Sequence, residues 1–490
     1  MGAILFEALG LTSDASADEI RHAYFEAARR LHPDANPSPD AANQFMAVQN
    51  AYDVLSNQER RIEYLISQAA SSNQPPIIVQ TQYSMDSLQS ISEEQYVYAL
   101  VEIMNAEEIK AQNLPTSNVC LVIDRSTSMA DKRIDMAKKA AYDLMKQLKH
   151  DDWVSIITFS DRAEQIIPPT RVKKSMLSDP RIATIQTGGG TEILRGLESA
   201  IEVLTHAGVE DASRHMIILT DGHTYGDEEE CYKLAQKAGE KGIIISALGI
   251  GNEWNDTFLD RLTGLSGGTA RLISSLDDIK QFIREQVSTL GKVYARNLNL
   301  RINNSPHSTL VDLYRIYPDS VPLPIEPNVR LGNLPFNDKI KIILEYKISP
   351  DLEKGELIYL LNGSVTMEIP TQKEAMSKLD VNLRRMVRED QEKSSPPREI
   401  VEAIEKLTLY RLQEKARAEE TAGDHVNATR HLKNLATRLL QKKGSDGLAN
   451  LILNEAENIH SGQGYSPEAE KRIKYGTRAL LLPSAKDDSK

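Results

Sequence analysis

Cysteine is nearly absent from this chain: Cys120 and Cys231 are the only two in 490 residues. Two thiols cannot supply a disulfide framework or a four-thiolate zinc site. Cys120 lies in an apolar run and Cys231 in a helical one, so both read as buried thiols of a reducing compartment, with a bridge between them the less favoured alternative. An excess of positive charge is missing as well. The 58 Lys and Arg against 70 Asp and Glu leave a net charge of −12, which argues against nucleic acid as the main partner, because phosphate binding needs surplus cations. Long apolar runs are also lacking. None approaches the ~20 residues of a membrane helix; Ile243–Gly251 is among the longest and contains Ser246. The residues after Met1 carry no positive segment and are interrupted by Glu7, so no signal peptide is expected. Phe6 stands where a myristoylation motif needs Ser or Thr. The expectation is a cytosolic protein with no membrane partner. A phosphate-binding loop with Lys-Ser/Thr, an HExxH helix and a nucleophile–base pair are likewise not found, so no enzyme is expected.

What is present is ordinary globular material, 40% hydrophobic and 26% charged. The length predicts about three or four domains. Short helices occupy residues 1–70, and the small, polar, Pro-ended stretch at 71–76 reads as a linker. Residues 77–115 hold strand-like alternation, with Val97, Ala99, Val101 and Ile103 on one face. Over 116–292, β-branched runs (Val119–Ile123, Val154–Phe159, Met216–Leu219, Ile243–Leu248) alternate with amphipathic helices. That pattern predicts a doubly wound α/β domain on a parallel sheet. Over 293–372 the period becomes two, as at Ile340, Ile342, Leu344, Tyr346 and Ile348, predicting an antiparallel β-sandwich that the 77–115 segment completes. Asn362-Gly363 reads as a two-residue hairpin turn within it. Residues 373–482 read as helical and 483–490 as a tail. Glu414–Leu440 looks like one helical hairpin around Gly423-Asp424; with no second copy, an ordinary helical cap is preferred to a stacked repeat.

Near the start, Ser16-Ala17-Asp18-Glu19 has the form of a capping box. The helix it opens carries Ile20, Ala23, Tyr24, Ala27 and Leu31 on one face and stops at His32-Pro33-Asp34, since a residue before proline disfavours helical geometry. The next helix carries Phe45, Val48, Tyr52 and Leu55. Residues 4–67, with LGLTSDASADEIRHAY, then HPD, then FMAVQNAYDVLSNQERR, resemble a J-domain. The resemblance implies that His32, Pro33 and Asp34, with Arg21, His22, Arg29 and Arg30 on the helix, bind a DnaK-type chaperone and stimulate its ATP hydrolysis. Phe25 and Glu26 replace basic residues usual in mid-helix, and Ala35 replaces a common lysine, so modest stimulation is expected. The family's Gly/Phe-rich and zinc-binding regions are absent.

Three further pieces lie where loops leave the carboxyl ends of the parallel strands, the expected site in an open α/β sheet. They are Asp124-Arg125-Ser126-Thr127-Ser128, Gly188-Gly189-Gly190-Thr191 and Thr220-Asp221-Gly222. They offer only carboxylates and hydroxyls, a hard oxygen set suited to Mg²⁺. Two carboxylates cancel the charge of the ion, leaving a formally neutral site that accepts a ligand carboxylate. The pattern resembles the von Willebrand factor A (VWA) domain and its metal-ion-dependent adhesion site. That implies Asp124, Ser126, Ser128, Thr191 and Asp221 as ligands to Mg²⁺, with Mn²⁺ or Ca²⁺ as alternatives. Thr127 stands where glycine is common. The acidic run Asp227–Glu230 is assigned to a helical first turn instead. The functional expectation is a co-chaperone and adaptor whose A domain binds an unidentified client protein through an acidic residue. The alternative is an accessory subunit of a ring-ATPase or chelatase-like complex.

Overall fold

The structure is a computed structural model. It describes residues 4–11, 15, 17–32, 38–57, 60–61, 64–65, 77–105, 116–206, 212–221, 226–251, 254–290, 293–303, 305–350, 352–370, 376–389, 395–442 and 445–480. Ser16 of the capping box, Pro33 and Asp34, the 71–76 linker, Gly222 and the tail lie outside them. The chain divides into two compact units, Met1–Asn113 with Leu298–Pro318 and Ile325–Glu402, and Leu114–Asn297 with Asp319–Pro324 and Ala403–Lys490.

The first unit begins with helices Ile4–Ala8, Ala17–Leu31 and Pro39–Leu55. Apolar residues at helical spacing close a small core around Phe6, Ile20, Val48, Ala51 and Leu55, and Tyr24 stacks on Tyr52 at 4.1 Å between centroids. Two sheets follow. In one, strands Ile77–Tyr83, Gln95–Asn105, Lys339–Ile348 and Ser308–Tyr317 lie side by side in that order, each antiparallel to the next. In the other the order is Asn328–Pro335, Val293–Asn303, Leu357–Glu368, Ser377–Arg388 and Leu88–Gln89. Side chains tie the sheets together: the Ser308 hydroxyl donates to the Leu360 carbonyl at 3.1 Å and the Arg315 guanidinium to the Leu331 carbonyl at 2.7 Å.

Two expectations here are corrected. The helical region expected from 373 onward begins only at Arg398, because Ser377–Arg388 alternates buried and exposed residues and pairs as a strand with Leu357–Glu368. Asn362-Gly363 is not a turn but the middle of the strand Leu357–Glu368, where both residues pair with Asn382 and Val381. A Cβ on Gly363 would collide with the Arg301 carbonyl of the neighbouring strand. The glycine therefore marks a close approach of backbones, the other use of glycine in strands.

The second unit is built on a six-stranded sheet in the order Ala163–Arg171, Trp153–Phe159, Ser117–Asp124, Ser213–Thr220, Ile243–Ile250, Ala270–Ile273. All neighbours are parallel except the first pair. Because both faces are covered, side chains alternate between two apolar layers. Val119, Leu121 and Ile123 pack with helix Lys132–Gln147 and Leu276–Leu290; Cys120 and Val122 pack with Ile193–His206, Glu228–Glu240 and Asp256–Gly264. Both cysteines are free and buried, and burial pushes the Cys120 thiol up to about 12, so it is unreactive.

Four helices, Arg398–Thr421, His425–Leu440, Asp446–His460 and Pro467–Ala479, form a separate apolar core. They are fastened to Asp256–Gly264 by charge. Arg417 donates to Asp256 at 2.7 and 3.1 Å, Arg478 to both oxygens of Asp260 at 2.8 Å, and Lys474 reaches both carboxylates. Lys471 donates to the Trp254 carbonyl at 2.6 Å. Burial alone would push the Asp256 and Asp260 carboxyls up. The opposing Arg417, Lys474 and Arg478 charges outweigh it and hold both below the usual carboxylate range.

A depressed folded pKa contributes stability that is present above the unfolded value and lost as pH falls. Unfolding midpoints measured from pH 7 downward should therefore drop below about pH 4, and should drop less in Asp260→Asn. At neutral pH Asp260→Ala removes the carboxylate partner of Arg478 and leaves Lys474 only Asp256; the two cations are 5% and 4% exposed. It should cost about 3–5 kcal/mol by urea unfolding. A loss under about 1 kcal/mol would mean the clasp is solvated.

Candidate functional site

Asp124 ends the strand Ser117–Asp124, and Asp221 follows the adjacent strand Ser213–Thr220. Their pairing, Ile123 opposite Leu219, brings the two carboxylates to the same edge of the sheet, 0% and 1% exposed. The loop after Asp124 folds back on it. The Ser126 amide donates to Asp124 Oδ1 at 2.8 Å and the Thr220 hydroxyl to Oδ2 at 2.6 Å. Ser126 and Ser128 hydroxyls are 3.0 Å apart, and the Ser128 hydroxyl donates to Asp221 Oδ1 at 2.8 Å. Four of the five expected ligands, Asp124, Ser126, Ser128 and Asp221, thus form one hydrogen-bonded group.

Thr191 stands two residues before helix Ile193–His206 and is 9% exposed. Its loop is tied to the first one. The Gly188 amide donates to the Arg125 carbonyl at 2.8 Å, and the Thr127 amide and hydroxyl both donate to the Gly189 carbonyl. Thr127, in place of a common glycine, therefore adds a bond rather than a clash. Gly189 has φ +89° and faces Ser160 and Asp161 so closely that a Cβ would not fit; only glycine suits such a position. Asp161 also accepts from the Gly190 amide at 2.7 Å.

Two participants were not read from the sequence. Asp161 anchors the glycine loop, and nothing but its place after a strand could have flagged it. Arg133, one residue into helix Lys132–Gln147, places its guanidinium on Asp221 Oδ2 and donates to the Ser128 carbonyl at 3.2 Å. Its presence corrects the charge balance: two carboxylates plus one guanidinium leave the cluster at −1 before any metal.

Burial pushes the Asp124 carboxyl up to about 6, with the Asp221 charge adding and the Thr220 and Ser126 hydrogen bonds opposing. Buried anions at this edge call for cationic compensation, and the converging oxygens are the hard donors that a divalent ion such as Mg²⁺ takes. The donor set fits. Among the described residues, no group of three or more His, Cys, Asp or Glu is placed to hold a metal ion.

On the helix Ala17–Leu31, Arg29 and Arg30 are exposed and Arg21 and His22 are half-buried; His32, just past its end, is exposed. Phe25 is 53% exposed. His32 contacts Phe45 edge to face at 5.6 Å. No helix among the described residues is long and apolar enough to cross a membrane.

Three protein families match. Residues 5–64 match the DnaJ domain, 118–286 the von Willebrand factor type A domain, and 398–483 the Sll0103-like, C-terminal alpha-helical domain. The last coincides with the C-terminal helices that the sequence reading expected. The uncharacterized protein sll0103 of Synechocystis sp. is 26% identical over 377 residues, covering 75% of this chain and 88% of its own. The chaperone protein DnaJ of Levilactobacillus brevis is 46% identical over 70 residues, 14% of this chain and 18% of that protein. The chain thus spans less than a fifth of that chaperone. The solved structure of a von Willebrand factor type A protein from Catenulispora acidiphila aligns with a TM-score of 0.64 at 15% identity, covering 83% of this chain and 97% of the other. At that identity the likeness speaks for the fold alone.

Arg133→Gln leaves the Asp221 carboxylate without its guanidinium. Urea unfolding in EDTA should show a loss of about 1–3 kcal/mol, recovered on adding Mg²⁺. Unchanged stability in EDTA would show that Arg133 does not compensate the cluster.

Proposed function

This chain carries a DnaJ domain and a von Willebrand factor type A domain, and we propose that it is a co-chaperone whose A domain captures a protein client through one Mg²⁺ while the DnaJ domain engages a DnaK-type chaperone. Both domain types are in general non-catalytic: the first suggests a DnaK partner and the second protein interaction. The observation that carries the finer reading is the convergence of Asp124, Ser126, Ser128 and Asp221 at the carboxyl edge of the sheet, in the same chain as an N-terminal helix with exposed Arg29 and Arg30 and, just past its end, exposed His32.

Asp124, Ser126, Ser128, Thr191 and Asp221 would hold the ion, which when bound supplies a coordination position for a carboxylate oxygen. The remaining work falls to the chain's own side chains. Thr220 and the Ser126 amide fix the Asp124 carboxylate. Arg133 adds a positive charge at the rim, so the loaded cluster has a formal charge of +1 and attracts an acidic side chain. That favours a client presenting Asp or Glu over one presenting Lys or Arg. On the chaperone side, Asp34 of the HPD loop provides a carboxylate for a directional pair with a cationic partner group, and Arg29 and Arg30 steer the encounter.

Affinity capture of clients from cells tests the metal arm. Recovery should fall by at least about ten-fold, equivalent to about 1.4 kcal/mol, both in EDTA and in Ser126→Ala plus Ser128→Ala. It should persist in Asp34→Asn. Equal recovery in EDTA contradicts metal-dependent capture. In single-turnover assays the full chain should accelerate ATP hydrolysis by a DnaK-type chaperone and Asp34→Asn should not; equal rates would remove the chaperone role.

A further inference from the structure

Three residues in the first half of the helix Ala17–Leu31 contact the β-sheet part of the same unit. Glu19 Oε1 lies 3.5 Å from the Arg385 guanidinium, Arg21 lies 3.8 Å from Asp86, and His22 Nδ1 lies 3.4 Å from Arg388. Two of these contacts are complementary in charge, and the third sets the His22 imidazole beside the Arg388 guanidinium. The helix's acid meets a base and its base meets an acid, a pattern that fixes one register and penalises a slipped one.

Arg385 gives the arrangement its specificity. It sits on the strand Ser377–Arg388, is 1% exposed, and lies over the Tyr83 ring at 3.1 Å. Its Nε and Nη2 have no hydrogen-bond partner, and its Nη1 donates to the Arg384 carbonyl at 3.2 Å. A buried guanidinium needs a counter-charge, and among the described residues Glu19 is the carboxylate paired with it. Asp86 lies in the turn after strand Ile77–Tyr83, and its side chain is 10% exposed. Both sheet-side groups are therefore covered while facing the helix.

Arg21 and His22 belong to the face that the J-domain resemblance assigns to the chaperone. Arg29 and Arg30, two turns later, stay exposed. We propose that the sheet surface formed by Asp86, Arg385 and Arg388 is a docking site for the chain's own DnaJ domain, and that it competes with the chaperone for Arg21 and His22. The competition rests on the reading of the DnaJ domain as chaperone-binding; the docking does not. Partly exposed ion pairs are individually weak, so the docked state is reversible, and a chaperone pays for the docked fraction as a reduced apparent affinity.

The test uses the full chain with Asp86→Lys, which reverses the sheet-side charge facing Arg21 and leaves every chaperone-facing residue intact. Asp86→Ala serves if that variant melts early. Hydrogen exchange over Ala17–Leu31 reads the docking, and the chain concentration giving half-maximal stimulation of a DnaK-type chaperone reads the competition. The proposal expects faster exchange in the variant and a half-maximal concentration lowered about three- to ten-fold. Unchanged exchange overturns the docking. Faster exchange with an unchanged half-maximal concentration overturns the competition. If neither chain stimulates the chaperone, the chaperone reading and the competition fall together, and exchange alone decides the docking.

Discussion

Two carboxylates that water cannot reach dominate the chemistry of this chain. Asp124 and Asp221 end adjacent strands and are almost fully buried, so each must be matched by donors or by opposite charge. The surrounding residues are arranged for that need. Thr220, Ser126 and Ser128 donate hydrogen bonds, Arg133 supplies one positive charge, and the glycine loop 188–190 is tied over the first loop by Thr127 and Asp161. One guanidinium does not balance two anions. The deficit is the physical reason to place a divalent cation here, and the oxygen-only donor set is the reason to choose a hard one.

Ionic compensation recurs away from that edge. Asp256 and Asp260 take three cations from the C-terminal helices, making those helices part of the A-domain unit rather than an appendage. Arg385 and Glu19 form a comparable pair in the other unit. In each place a buried charge selects one partner, because the cost of leaving it unmatched exceeds the gain of any looser arrangement. Under the proposed function, such selectivity would serve a chain that brings a client to a chaperone. Domains kept in defined registers present their binding residues in a fixed geometry, while weak individual pairs leave room for release.

Much of this was legible in the residues. The apolar stripes Ile20–Leu31 and Phe45–Leu55 close the small helical core as their period requires, and the β-branched runs became the parallel strands. Two of the loop motifs meet because strand order puts 117–124 beside 213–220, and the glycine loop joins them through Arg125 and Thr127. Local pattern failed where a residue's partner was distant in sequence. Asn362-Gly363 carries the strongest short turn signal, yet the approach of Arg301 decides its conformation. Ala163–Arg171, with Pro168 and Pro169, does not read as a strand, but as an antiparallel edge it tolerates proline. Arg133, Asp161 and the Asp256–Arg417 clasp depend on side chains meeting across 88, 29 and 161 residues, which no periodicity encodes.

Titration calorimetry of the full, metal-stripped chain with Mg²⁺ tests the Asp124–Asp221 cluster as a cation site without needing a client. One Mg²⁺ per chain is expected, with the heat of binding lost in Asp221→Ala. No heat in the wild type, or the same isotherm in Asp221→Ala, would contradict it.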